Sequence, residues 1–126
     1  MRTIITMNLS HYSVLRDILL AKPGAAEAYP FGPDTLVPKV GGKMFGLLYE
    51  EEGIARISLK CDPEHGELLR ATHPSIIPGY HLNKRHWITI IVDGSIPDDL
   101  MRDLIDESYD LVVKGLPRAV RNELIG

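Results

Sequence analysis

The sequence predicts a single α+β domain: an antiparallel β-sheet, built as a meander plus one later strand, with helices packed on one of its faces. Three observations carry this. Residues Leu36–Val40, Lys43–Tyr49 and Ile54–Lys60 are strand-like runs in close succession, with Gly41-Gly42 and Glu51-Glu52-Gly53 as turns between them. Trp87–Val92 repeats the pattern later. Helix-period segments precede, separate and follow these runs, and the 126 residues show no internal repeat or linker, so residues 1–126 read as one domain.

Element by element, a first helix is expected over about Leu9 to Ala21. Asn8 or Ser10 would cap it, and Val14, Leu15, Ile18 and Leu19 would lie on its inner face. Pro23-Gly24 stops it, and Tyr29-Pro30-Phe31-Gly32-Pro33-Asp34 must form an ordered loop. Pro38 cannot donate to a ladder, which places the first strand at an edge or a bulge. The second strand is ambiguous, because Phe45, Leu47 and Tyr49 compete with Met44 and Leu48 for the core. In the third, Ala55, Ile57 and Leu59 point inward and Arg56, Ser58 and Lys60 outward. Asp62-Pro63 opens a short helix that ends near Thr72. After the Pro74–Arg85 loop, the last strand turns Ile88, Ile90 and Val92 inward and Trp87, Thr89 and Ile91 to the other face. Asp93-Gly94 turns the chain into a long helix whose stripe is Leu100, Met101, Leu104, Ile105, Ser108, Leu111, Val112 and Gly115, ended by Gly115 and Pro117.

Composition narrows the function classes. Hydrophobic residues are 44% and charged residues 25%, ordinary globular values that exclude a largely disordered chain. No apolar run approaches the roughly 20 residues of a membrane span, and the N-terminal apolar stretch is too short for a secretory signal, so a cytoplasmic protein is expected. Cys61 is the only cysteine, so no intrachain disulfide and no cysteine-based zinc site is expected, and it reads as a small buried hydrophobe at a strand end.

The net charge of −3 argues against bulk coating of nucleic acid, but the charge is polarised. Leu68–Val92 holds no acid and carries Arg70, His73, His81, Lys84, Arg85 and His86. Asp93–Asp110 inverts this, with Asp93, Asp98, Asp99, Asp103, Asp106, Glu107 and Asp110 against Arg102.

The densest local signal is Tyr80-His81-Leu82-Asn83-Lys84-Arg85-His86-Trp87, where cations, amides and an aromatic suit phosphate contact and base stacking. The plain alternative is a solvated loop anchored in the core by Trp87. If Lys43 is outward, Phe45 goes with it, and one face gathers Lys43, Phe45, Arg56, Lys60 and Trp87. His73, His81 and His86 have spacings that do not stack on one helix turn, and no nearby carboxylate completes a metal site, so no metal or other cofactor is expected. Asp103, Asp106, Glu107 and Asp110 share a face of the last helix, a solvated face or a site for a cation or basic partner. There is no glycine-rich phosphate loop, no His-Glu-x-x-His and no serine elbow, and no spacing sets a nucleophile beside a base, so no enzyme is expected.

Several short motifs occur in a fixed order: Pro23-Gly24, Pro30-Phe31-Gly32, Lys39-Val40 with Lys43-x-Phe45, and Lys60-Cys61-x-Pro63. Pro78-Gly79-Tyr80 with Asn83-Lys84-x-His86-Trp87, Ser108-Tyr109-x-Leu111-Val112 and Leu116-Pro117 complete the series. In this the chain resembles the MmcQ/YjbR-like family of small bacterial proteins, from about Leu9 to Arg118. The resemblance implies a CyaY-like fold, also described as a double wing, and a DNA-binding label that rests on analogy of fold. Its matching polar positions are Lys39, Lys43, Lys60, Asn83, Lys84, His86 and Trp87. Frataxin-like iron proteins share that fold, but their acidic ridge has no counterpart in a first helix that offers Asp17 alone.

Two functions are therefore expected from one surface made of Lys39, Lys43, Arg56, Lys60, His81, Asn83, Lys84, Arg85, His86 and Trp87. One is non-enzymatic, regulatory DNA binding; the other is a binding module for a small anionic ligand or a protein partner. A convex, open, positive face favours DNA, and a concave site of a few hundred cubic ångströms favours the ligand.

Overall fold

Four helices and two antiparallel sheets make up the described part of the chain, residues 11–125 of a computed structural model. Helix α1 (Tyr12–Leu20) buries Leu15 and Leu19, one turn apart, while Val14 and Ile18 pack at the core's margin. His11 occupies its N-cap position; the expected start at Leu9 and caps at Asn8 or Ser10 lie outside the described residues.

Strands β1 (Ala26–Ala28), β2 (Val37–Val40) and β3 (Lys43–Met44) form one small sheet in that order. Strands β4 (Leu47–Glu51), β5 (Ile54–Lys60), β6 (Ile76–Pro78) and β7 (Trp87–Ile91) form the second, in the order β4-β5-β7-β6. The expected single meander is thus divided, and the division falls inside the expected strand Lys43–Tyr49. That segment bends at Phe45-Gly46, where a Cβ on Gly46 would lie 3.2 Å from the Pro38 ring and 3.4 Å from the Ser58 carbonyl oxygen. The bend resolves the ambiguity of this strand. Its two halves belong to different sheets, so Phe45, Leu47 and Leu48 are all buried. Lys43 is exposed but Phe45 is not, which corrects the expectation that they share an outer face.

Pro38 sits in the middle strand of the small sheet rather than at an edge. Its carbonyl accepts from the Phe45 N–H, so its missing donor faces the place where β3 has already ended. Gly41 and Gly42 both take positive φ, the requirement of a tight two-residue hairpin between β2 and β3. The sheets are joined by the Leu36–Leu48 bridge, with bonds in both directions of 2.9 Å.

Helix α2 (Pro63–Thr72) starts where its local chemistry directs: Asp62 accepts from the Glu64 and His65 N–H groups, and Pro63 occupies the first turn. Helix α3 (Asp98–Lys114) buries Met101, Leu104, Ile105, Ser108, Tyr109 and Val112 against β5. Its Ser108 hydroxyl donates to the Phe45 carbonyl (2.7 Å) and accepts from the Lys60 N–H (2.8 Å), tying the bend to the end of β5. The Tyr109 ring meets Phe45 edge-on at 5.2 Å and its hydroxyl donates to the Pro23 carbonyl. A fourth helix, α4 (Arg118–Ile125), comes after Pro117, and its Val120 lies over Gly41 while Leu124 lies over Gly24. Register puts Ala55, Ile57, Leu59, Ile88 and Ile90 on the buried, helix-covered face of the larger sheet, as the alternation predicts. Among the described residues no helix is long and apolar enough to cross a membrane.

Candidate functional site

The opposite face of the larger sheet is where the expected site residues divide. Cross-strand register places Arg56 opposite Ile91, Ser58 opposite Thr89 and Lys60 opposite Trp87 on this face. Ser58 and Thr89 are fully buried although they point away from the helices, and their hydroxyls bond at 2.8 Å. What covers them is the loop between β6 and β7. The Tyr80 N–H donates to Thr89 Oγ1 at 3.0 Å, and the Gly79 N–H donates to the Trp87 carbonyl at 3.0 Å.

Between this loop and the Tyr29–Thr35 loop runs a groove of about 370 Å³, lined by Phe31, Thr35, Leu47, Tyr49, Tyr80, His81 and Leu82. Phe31 is 69% exposed and Tyr80 49% exposed, the behaviour of rings held at a surface rather than packed in a core. Each wall is fixed from behind. Tyr29 donates to Glu27, which also pairs with Arg16 of α1, and the Gly32 N–H closes the turn onto the Tyr29 carbonyl. On the other wall the His81 ring lies on Tyr80, centroids 3.9 Å apart. His81 holds a φ of 61°, a left-handed conformation that costs a non-glycine residue of order 1 kcal/mol. At the floor, the Tyr49 hydroxyl is buried without a hydrogen-bond partner among the described residues, as is Nε of Arg56, its cross-strand neighbour outside the groove lining. Burial pushes the Tyr49 hydroxyl pKa up, against the opposing charge of Arg56.

The basic set is dispersed. Lys39 and Lys43 belong to the smaller sheet, where the register with Met44 and Val40 puts them on opposite faces. Arg56 pairs with Glu51 at 3.3 Å. The Lys84 ammonium donates to the Gly79 carbonyl (2.9 Å), and Asn83 accepts from the Arg85 and His86 N–H groups, so both brace the loop. Arg85 and His86 are exposed, Trp87 and Lys60 half-buried. His81 alone of the expected residues lines the groove. Phe31 and Tyr49 were legible only as a loop residue and a strand residue, because the groove arises from two loops approaching across the sheet.

The acidic stripe of α3 is partly engaged: Asp106 pairs with Lys22, and Glu107 with His65 (2.7 Å). Glu107 also accepts from the Asp62 N–H at 3.1 Å, and it reaches Cys61. A cysteine, a histidine and a carboxylate therefore do meet, at Cys61, His65 and Glu107, where sequence spacing showed no such group. Burial, and then Glu107, push the Cys61 thiol from 9.0 up to about 12. Because the folded value is raised, the buried thiol contributes stability that is present below pH 9.0 and lost as pH rises toward 12. Urea midpoints measured from about pH 8 to 11 are expected to fall more for the native chain than for Cys61→Ala. Equal slopes would refute the assignment.

A YjbR family model matches residues 20–111. The chain is 42% identical over 109 residues to the uncharacterised protein YbdF of Escherichia coli O157:H7, covering 86% of this chain and 89% of that one. It is 39% identical over 113 residues to the uncharacterised protein YjbR of Escherichia coli K12, covering 90% and 96%. Among solved structures it is similar to Deinococcus radiodurans protein DR2400, with a TM-score of 0.86 and 43% identity over 96% of this chain and 91% of that one. A Pseudomonas syringae protein matches with a TM-score of 0.70 and 30% identity over 80% and 97%.

Proposed function

This chain belongs to the YjbR family, and we propose that it is a non-enzymatic cytoplasmic binding module for a small molecule carrying a flat aromatic group. The observation that carries this is the groove itself: exposed Phe31 and Tyr80 face one cleft whose floor is the outer surface of the sheet. Rings held apart by braced loops offer stacking surfaces at little cost in conformational entropy. The strained His81 and the buried, unpartnered Tyr49 hydroxyl support the same reading. A backbone held off its preferred φ, and a donor without an acceptor, are both features that tend to collect at binding sites. An acceptor on the ligand, such as a carboxylate or sulfonate, would complement the ring of His81, which lines the groove.

The same geometry weighs against duplex DNA, the function implied by the family resemblance. Lys39 and Lys43 face apart, Arg56 is paired, and Lys84 is turned into its own loop. Such a set offers few phosphate contacts.

Anilinonaphthalene sulfonate, an anion that carries a flat naphthalene ring, is the probe. The folded protein is expected to bind it saturably at one site. The Phe31→Ala, Tyr80→Ala double variant should bind about tenfold more weakly, at roughly 0.7 kcal/mol per stacking ring. Circular dichroism should be unchanged. Binding that is absent, or equal in the variant, would sink the proposal. A labelled DNA duplex forms the second arm: salt-sensitive binding lost on Lys84→Glu with Arg85→Glu would return the function to nucleic acid.

A further inference from the structure

On the far side of the sheet from the groove, three segments bring together the one cluster of three metal-ligating side chains found among the described residues. Cys61 ends β5, His65 stands in the first turn of α2, and Glu107 projects from α3. Their ligand atoms lie within 4.8 Å of one another. We propose that Cys61, His65 and Glu107 form a binding site for a zinc-class divalent cation, with three protein ligands and a fourth position open to solvent.

The donor set suits that class: a thiolate and an imidazole select borderline-soft ions over magnesium or calcium, and a carboxylate completes the three. Tetrahedral ligands around zinc sit about 3.5 Å apart, so side-chain rotations suffice to close the group onto an ion. Each ligand is already positioned by the backbone behind it. The Cys61 N–H donates to the His86 carbonyl at 2.8 Å. Asp62 caps α2 and so sets the turn that carries His65. The Asp62 N–H holds the second Glu107 oxygen at 3.1 Å, leaving the first to face His65 at 2.7 Å. Ser108, beside Glu107, binds the Lys60 N–H and thereby keeps α3 against the strand end that presents Cys61. Such outer bonds are what orient the ligands of a metal centre.

Access is one-sided. Cys61 is 3% exposed and forms the inner ligand, while the side chains of His65 and Glu107 are 38% and 24% exposed and form the outer two. Arg70, one turn beyond Gly66, adds a positive charge near the thiol. Thiolate and carboxylate together still leave negative charge in excess for a dication. Binding exchanges the Cys61 thiol proton for the ion; the proton leaves to solvent, and no redox step is involved.

Cobalt(II) added to the reduced full chain is the test. One equivalent is expected to produce a sulfur-to-cobalt charge-transfer band in the near ultraviolet, with the strong visible bands of tetrahedral cobalt, and zinc should bleach both. Cys61→Ser should abolish the charge-transfer band. His65→Ala, a substitution at a partly exposed helical position, should weaken cobalt binding at least about tenfold with an unchanged circular dichroism spectrum. Zinc should raise the unfolding temperature of the native chain and not of His65→Ala, which keeps the test decisive if Cys61→Ser does not fold. A native protein without the charge-transfer band, or a band that survives in Cys61→Ser, overturns the proposal.

Discussion

Ser108→Ala is expected to destabilise the fold by about 2–4 kcal/mol, an effect far larger than the loss of one hydroxyl at a surface. The reason is position. Ser108 is fully buried and stands between the carbonyl of Phe45, at the bend that separates the two sheets, and the N–H of Lys60, at the end of β5. Alanine leaves one acceptor and one donor without a partner, each costing about 1–2 kcal/mol here. This is the lower part of the range for an unsatisfied buried group, because the Lys60 amide is only part-buried. Ser108 lies on the buried, largely apolar stripe of α3, so alanine brings no polar atom in its place. In a chain of this length about 3 kcal/mol corresponds to a fall in unfolding temperature of roughly 10 °C. Urea titration with an unchanged m-value is the measurement. Ser108→Cys, nearly the same shape with a weaker donor, should fall between the two. A loss below about 1 kcal/mol in Ser108→Ala would mean that water or a backbone shift satisfies both groups.

The same residue shows where sequence reasoning reaches and where it ends. Ser108 is legible as a member of the inward stripe of α3, because helical period alone places it there. That its hydroxyl joins two sheets is not legible, since both partners are backbone atoms distant in sequence. Elements governed by local chemistry match their expected bounds closely. Asp62-Pro63 starts α2, Gly41-Gly42 closes a hairpin, and Ile54–Lys60 alternates as one strand. Elements that exist through pairing escaped. Ala26–Ala28 has no strand propensity and is a strand because it lies against Val37–Lys39. Ile76–Pro78 is three residues long and is held by β7. Helix α4 was hidden because Pro117, read as the stop of α3, is equally suited to start a new helix.

The candidate sites divide along the same line. The cationic cluster was visible as composition, yet Lys84 and Asn83 spend their polar atoms on their own loop. The groove needs Phe31, Tyr49 and Tyr80 from three separated segments, so no spacing announces it. Two members of the metal cluster, Cys61 and His65, are close in sequence across a helix cap, a spacing that by itself means little. Glu107 enters only through the packing of α3 on β5.

Gly79→Ala should both destabilise the protein and disable the groove. Gly79 is buried where the Tyr80 loop lies against β7, its N–H bonded to the Trp87 carbonyl. A Cβ there would stand 2.7 Å from Trp87 Cβ, 3.0 Å from its carbonyl oxygen and 3.1 Å from its carbonyl carbon. Two of these three are backbone atoms of a paired strand, which cannot rotate aside, so the loop itself must move outward. Moving it breaks the Gly79 N–H bond to Trp87 and pulls the Tyr80 N–H from Thr89, whose hydroxyl partner Ser58 is buried beneath. Overpacking of this kind costs about 1–3 kcal/mol, and the lost bonds add to it. Because the displaced segment carries Tyr80, His81 and Leu82, dye binding should fall at least as far as in the Phe31→Ala, Tyr80→Ala variant. Trp87 is the only tryptophan and should report the movement as a shift in its emission. The comparison that isolates the cause is Gly53→Ala, at a hairpin turn where a Cβ meets nothing within 4 Å among the described residues. Its positive φ also penalises alanine, so it is expected to lose stability through strain while retaining dye binding. If Gly79→Ala loses stability yet binds the dye as the native chain does, the groove is not the site, whatever the loop contributes to the fold.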